Sequence, residues 1–441
     1  MKEINLTEGS IFHKLIRFSL PMIAGNLLQQ IYNLVDTLIV GKCIGPDALA
    51  AVGSAYTLMI FITSIIIGLC MGSGAFFSAD YGAGEEKRLR EDIGLSFWFI
   101  LVVAMAIYLV IYPGMELILN LMQTPRELMG LTCDYVSVVF VGIVFVFLYN
   151  FFSYLLRAIG NSIMPLIFLA VSAGMNIVLD IWFVVGLNMG VGGAAWATVT
   201  AQAAAGIGIA VYSMAKLPVL RCNKSSGWHL RRLWEIIVND VATGIQQSVM
   251  NFGILMIQGL VNSFGAAIMA SFAAAVKIDT IAYMPAQEFG NAYSLFVSQN
   301  HGAKKEERIQ KGTKISFLAS LCFCLVSSVL IFIFAESLMR LFVDASEVQI
   351  IAEGARYLRI EGAMYVGIGA LFLWYGYFRG IRKPHISLIL TIISLGTRVA
   401  LSYALAPRTS LGVVAIWCSI PIGWFLADAA GLIFYRRNMV T

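Results

Sequence analysis

At 441 residues with 59% hydrophobic and only 12% charged side chains, the chain is no ordinary soluble domain, since such a domain carries about a quarter charged residues. Net charge +5 and mean hydropathy +0.82 describe a polytopic membrane protein rather than a soluble one with an anchor. Seven scattered cysteines argue against a disulfide framework, four histidines lack metal-ligand spacing, and the missing GxxxxGK[ST] loop argues against an ATP-driven pump.

The polar, basic start shows no cleavage site after an apolar run and reads as a short amphipathic lead into the first span. That span, residues 18–40, reads FSLPMIAGNLLQQIYNLVDTLIV, and its one charged side chain is Asp36. At about 1.5 Å per residue it crosses a hydrocarbon core about 30 Å thick. Asn26, Gln29, Asn33 and Asp36 follow at steps of three, four and three, which keeps them on one face. Lipid penalises such a face, so it turns toward protein or a wet cavity. A carboxylate inside a membrane is functional by default; the bland alternative is a carboxyl hydrogen-bonded between helices.

Hydropathy places twelve spans, at 16–40, 51–75, 93–113, 132–154, 164–185, 190–214, 236–260, 267–298, 314–335, 355–378, 385–406 and 412–435. Asn176 and Asp180 share a face of the fifth; Thr198, Thr200 and Gln202 lie on the sixth. Counted from the span ends, Asp36, Asp180 and Thr198 fall at similar depth in the outer half of the membrane. Two carboxylates, an amide and a hydroxyl at one depth suit Na⁺, and suit equally a shared or relayed proton. The structural alternative is an interhelical hydrogen-bond cluster.

The eighth span is too long for a simple crossing and holds Lys277, Asp279, Tyr283, Pro285 and Glu288, so a bend or a wet face is expected there. Gln247 and Asn251 keep a polar stripe on the seventh. With Gln29, Asn33, Asp279, Tyr283 and Glu288 they are candidate substrate-cleft residues. Arg398 on the eleventh span needs a counter-charge, Asp428 or Glu361. Arg157 and Arg379 at cytoplasmic helix ends read as capping or snorkelling side chains.

Most of the 30 basic residues fall in one alternate set of loops, which puts both termini in the cytoplasm. The halves repeat. Tyr81–Arg88 resembles His301–Arg308, Leu156–Gly160 resembles Phe378–Arg382, and Gly190–Trp196 resembles Gly412–Trp417 with one residue fewer. Residues 1–213 form an amino-terminal lobe, 214–235 a basic cytoplasmic linker and 236–441 a carboxy-terminal lobe, related by an axis along the membrane normal. On the repeat, Asp36 meets an apolar residue at 254–256 and Asp180 meets Ser402, so ion chemistry is expected in the first lobe.

Pro21, Gln29–Gly41, Leu49–Gly53, Gly82–Gly84, Leu156–Gly160 and Gly190–Trp196 together resemble the multidrug and toxic compound extrusion (MATE) family over roughly residues 10–435. The resemblance implies an all-α membrane fold of twelve helices in two pseudo-symmetric six-helix lobes. It implies export of organic cations or amphipathic drugs against H⁺ or Na⁺, without a cofactor, from the cytoplasmic membrane, by a monomer that binds no nucleic acid. The family's amino-terminal cation site maps to Asp36, Asn176, Asp180 and Thr198, with Asp36 and Asp180 as metal ligands if Na⁺ is used, and Pro21 matches the hinge of the first helix. One branch uses carboxylates in spans seven and ten; span seven has Met250 and Asn251 there and span ten only Glu361, so the chain is closer to the DinF-like branch. A flippase of lipid-linked precursors is the alternative, weakened by the scarcity of basic residues within spans. An intramembrane enzyme would need clustered acids or a nucleophile with its base, and neither pattern occurs.

Overall fold

Lipid offers no partners to backbone N–H and C=O groups, so a chain this apolar satisfies them inside helices. A computed structural model describes residues 4–121, 124–221 and 229–440, and among these there is no strand. The first half comprises α1 (Ile11–Cys43), α2 (Pro46–Ala83), α3 (Glu86–Ile111), the short α4 (Met115–Leu121), α5 (Arg126–Val141), α6 (Ile143–Ala158), α7 (Ile163–Asp180) and α8 (Gly190–Lys216). After a four-residue α9 (Pro218–Arg221) come α10 (Leu230–Asn262), α11 (Ala266–Gly302), α12 (Glu306–Met339), α13 (Val348–Gly362), α14 (Tyr365–Gly380), α15 (Pro384–Leu405) and α16 (Val413–Val440). Of the linker expected at 214–235, residues 222–228 lie outside the described residues.

Among the described residues eight helices are long and apolar enough to cross a membrane, and the bent pair α5–α6 makes a ninth. Among the described residues α1, α10 and the pair α13–α14 are long enough to bring the count to twelve but do not meet that apolar measure. By contacts the chain divides into two units. One contains Leu20–Gly244; the other contains Leu6–Ser19 and the residues from Ile245 on. Within each, the same pairs pack. In the first, α2 lies on α3, α5 and α6, and α7 on α8; in the second, α11 lies on α12, α13 and α14, and α15 on α16.

Packing among lipid tails gains little from the hydrophobic effect and rests on van der Waals fit. The first unit is centred on interlocking rings of Phe77, Phe97, Phe147, Phe151 and Phe152, with centroids 5.3–5.7 Å apart along the chain of contacts. In the second, Trp417 stacks on Phe272 at 5.3 Å and meets Tyr357 edge-on at 4.9 Å. Outward, Leu318, Leu325, Val329 and Ile333 of α12 are exposed along one face, as a lipid-facing surface should be.

Three expectations about the spans change. The fourth span is not one helix: α5 and α6 meet at 44° around Gly142. The Gly142 amide turns back to the Val139 carbonyl at 2.9 Å, and a Cβ there would sit 2.8 Å from Gln202 Oε1. The tenth span breaks likewise between α13 and α14, where the Met364 amide bonds the Glu361 carbonyl at 3.0 Å. The fifth ends in a π-helical turn, Ile181–Gly186, directly after Asp180; such turns often sit at functional sites. By contrast α1 runs unbroken through Pro21 and α11 through Pro285.

Candidate functional site

Three helices of the first unit bring the sequence-derived residues together. Asp36 comes from the outer half of α1, Asn176 and Asp180 from the last turns of α7, and Thr198 from the third turn of α8. Asp36 and Asp180 are within hydrogen-bonding reach of one another. Asn176 donates through Nδ2 to Thr198 Oγ1 at 3.4 Å. Asp180 is fully buried and Asn176 nearly so. Both Asp180 carboxyl oxygens, Asp36 Oδ1 and Asn176 Oδ1 are buried without a hydrogen-bond partner. Two carboxyl groups in contact cannot both stand as bare anions in a low dielectric; a proton or a small cation must relieve them.

Two tyrosines complete the surroundings, and the sequence reading did not single them out. Tyr32 and Tyr135 lie beside both carboxyls, and Tyr135 reaches Thr198. Tyr32 stands four residues before Asp36, a spacing that puts it on the same face. Tyr135 reaches the site on the first half of a broken span, which no local spacing announces. A cavity of about 160 Å³ adjoins them, and Gln29, Tyr32, Asn150, Ser172, Asn176, Thr198 and Gln202 supply its polar lining. No group of three or more His, Cys, Asp or Glu is gathered for a metal among the described residues. A cation at the carboxyl pair would therefore draw also on the amide and hydroxyl oxygens of Asn176 and Thr198.

The remaining candidates lie elsewhere. Gln29 is in the cavity wall, while Asn33, Gln247 and Asn251 are half-buried. Asp279 is buried in the second unit, where it accepts a 2.6 Å hydrogen bond from the Tyr365 hydroxyl. Tyr283, Tyr357, Glu361 and Arg398 surround it. This cluster, from α11, α13, α14 and α15, answers the question of the Arg398 counter-charge: it faces Glu361 and Asp279, whereas Asp428 stands beside Tyr375. Glu288 is also buried and accepts from Asn291 Nδ2 at 3.2 Å; Arg379 in turn donates to Asn291 at 3.0 Å and to Ser294 at 3.1 Å. Arg379, expected to cap or snorkel, is thus tied down inside the unit, because polar groups on α11 offer it partners that the membrane surface would otherwise provide.

One further polar cluster escaped the sequence reading. Arg232 of α10 donates to Asp92 Oδ1 at 2.8 Å and to Asp80 Oδ2 at 3.2 Å and lies 4.8 Å from the Phe76 ring centroid. Eight residues further along α10, about two turns, buried Asp240 accepts from Ser73.

The MatE family model matches this chain twice, over residues 21–182 and 242–404. The probable multidrug resistance protein YpnP of Bacillus subtilis is 30% identical over 439 residues, covering 99% of this chain and 97% of that protein. The probable multidrug resistance protein NorM of Thermotoga maritima is 24% identical, covering 96% and 91%. Among solved structures, MATE in the bent conformation superposes with a TM-score of 0.92 at 23% identity, over 100% of this chain and 98% of the other. An outward-facing multidrug resistance MATE family transporter of the MOP superfamily gives the same TM-score, identity and coverage. The twelve helices therefore have the two-lobe arrangement of those folds.

Proposed function

The chain belongs to the MatE family, and from that membership we propose that it is a secondary active exporter of organic cations or amphipathic drugs in the cytoplasmic membrane. Export is driven by H⁺ or Na⁺ entering through the first lobe. The observation that carries this reading is the pair of half-buried Asp36 and fully buried Asp180, closed in by Asn176, Thr198 and two tyrosines. A proton or Na⁺ arriving there neutralises the repulsion between the carboxyls, and its departure restores it. The site thus has two states that differ in the packing of α1 against α7. Alternating access needs such a two-state element, and a chain built of two similar repeats supplies the two bundles that such a cycle uses. The adjoining cavity and its amide and hydroxyl lining suit a ligand that competes with the ion.

The test is efflux of a fluorescent organic cation from proteoliposomes under an imposed pH gradient or an imposed Na⁺ gradient. The expected result is uphill export under one of them, lost in Asp36→Asn while the variant still inserts and folds. Uphill export undiminished in Asp36→Asn would overturn the coupling role of the pair.

A further inference from the structure

The tandem repeat sets an arginine where the first lobe has its amide. The offset that carries Leu156–Gly160 onto Phe378–Arg382 also carries Asn176 onto Arg398, Tyr135 onto Tyr357 and Asp180 onto Ser402. The shorter match of Gly190–Trp196 with Gly412–Trp417 carries Thr198 onto Ser419. The same helix pairs are joined in both halves, through different positions: Asn176 bonds Thr198 between α7 and α8, and Ser402, the counterpart of Asp180, bonds Ser419 at 2.8 Å between α15 and α16.

Each unit also holds two carboxyls edged by tyrosines, all buried but the half-buried Asp36. The first has Asp36 and Asp180 with Tyr32 and Tyr135. The second has Asp279 and Glu361 with Tyr283, Tyr357 and Tyr365. The two sets differ in one respect. Asp36 and Asp180 repel one another, and so do Asp279 and Glu361, but the second pair also shares the field of the Arg398 guanidinium, itself only 9% exposed. Arg398 Nε and Glu361 Oε2 are both buried without a hydrogen-bond partner, so the guanidinium is held by the field of the carboxyls and not by a close bidentate pair.

We propose that Arg398 is a built-in counter-ion that fills, in the second lobe, the place an exchangeable cation takes in the first, so that ion binding is confined to Asp36 and Asp180. The inference rests on the exporter reading above for the role of the first pair. A guanidinium does not lose its proton in a protein. It is therefore present at every H⁺ and Na⁺ concentration, unlike a free ion. The Tyr365 hydroxyl, donating to Asp279, spreads the remaining negative charge of the cluster. A lobe filled in this way cannot respond to the ion gradient, which breaks the functional symmetry of two structurally similar halves.

The experiment uses the full chain in lipid nanodiscs, starting from the double variant Asp36→Asn/Asp180→Asn so that the first lobe is silent. Two readouts are taken: the shift of the melting midpoint when choline is exchanged for Na⁺, and the protonated-carboxyl infrared band on a step from mildly alkaline to mildly acid pH. With Arg398 intact, neither readout is expected to contain a component that Glu361→Gln removes. Adding Arg398→Gln is expected to create one, as a Na⁺-dependent rise in the midpoint or a new carboxyl band, and Glu361→Gln is expected to abolish it. Arg398→Lys keeps a cation in place and is expected to create none. A Glu361-dependent response with Arg398 intact overturns the proposal, as does a folded Arg398→Gln variant without any new response. The intact-Arg398 comparison needs no arginine variant, so it is decisive even where Arg398→Gln does not fold. Neither readout depends on transport, so failure of the exporter reading would be seen separately, in the proteoliposome assay.

Discussion

Replacing Arg232 by methionine removes a charge while keeping most of the side-chain length. In the native chain its guanidinium serves two carboxylates at once, with Nε at 2.8 Å from Asp92 and Nη2 at 3.2 Å from Asp80. The Asp92 side chain is fully buried and that of Asp80 is 4% exposed, so water does not replace the lost cation. Breaking a buried pair on one side costs about 3–5 kcal/mol. The lost contact with the Phe76 ring adds about 1–2 kcal/mol. The half-exposed partner Glu235 is screened by solvent and adds about nothing. At about 2–4 °C per kcal/mol for a unit of some two hundred residues, the melting midpoint should fall by about 8–28 °C. Arg232→Lys keeps the charge but not the planar fork, and should lose about half as much. Thermal unfolding of the purified protein in one detergent, followed by tryptophan fluorescence, measures both. A midpoint for Arg232→Met within about 1 °C of wild type would refute the reasoning, because buried carboxylates cannot lose a guanidinium that both share without consequence.

Asp180→Asn leaves the shape of the proposed cation site and removes one of its two charges. A unit charge about 4 Å away at an effective dielectric of about 20 contributes about 4 kcal/mol, so the ion concentration giving half-maximal efflux should rise about a thousandfold. Gly68→Ala places a methyl 2.5 Å from the Gly244 Cα where α2 and α10 touch, and separating the helices should lower stability by about 1–3 kcal/mol, read as a lower melting midpoint. Trp417→Ala empties the stack between Phe272 and Tyr357 and leaves Glu353 Oε1 without its 3.2 Å indole donor, for a loss of about 3–5 kcal/mol in the same measurement.

The periodicity and composition of the chain settled its class, the rough positions of twelve crossings and the tandem repeat, because each is a local or self-similar property. A helix in lipid must close its own hydrogen bonds, so apolar length alone announces it. The residues of the carboxyl site were also legible, since Asp36, Asn176, Asp180 and Thr198 are rare polar groups at computable depth along rigid rods. What tertiary structure decided is which rods touch. The breaks at Gly142 and at Ala363–Met364 depend on a neighbour's side chain or on a turned-back amide, and hydropathy averages over both. Tyr135 reaches the carboxyl pair, Arg232 finds Asp80 and Asp92, and Arg398 finds Asp279 and Glu361. Each of these joins residues from different helices, Arg232 from a position 140 residues away from Asp92. Spacing along one helix carries no record of such partners, because the free energy that pairs two buried charges is fixed by the distance between them in space.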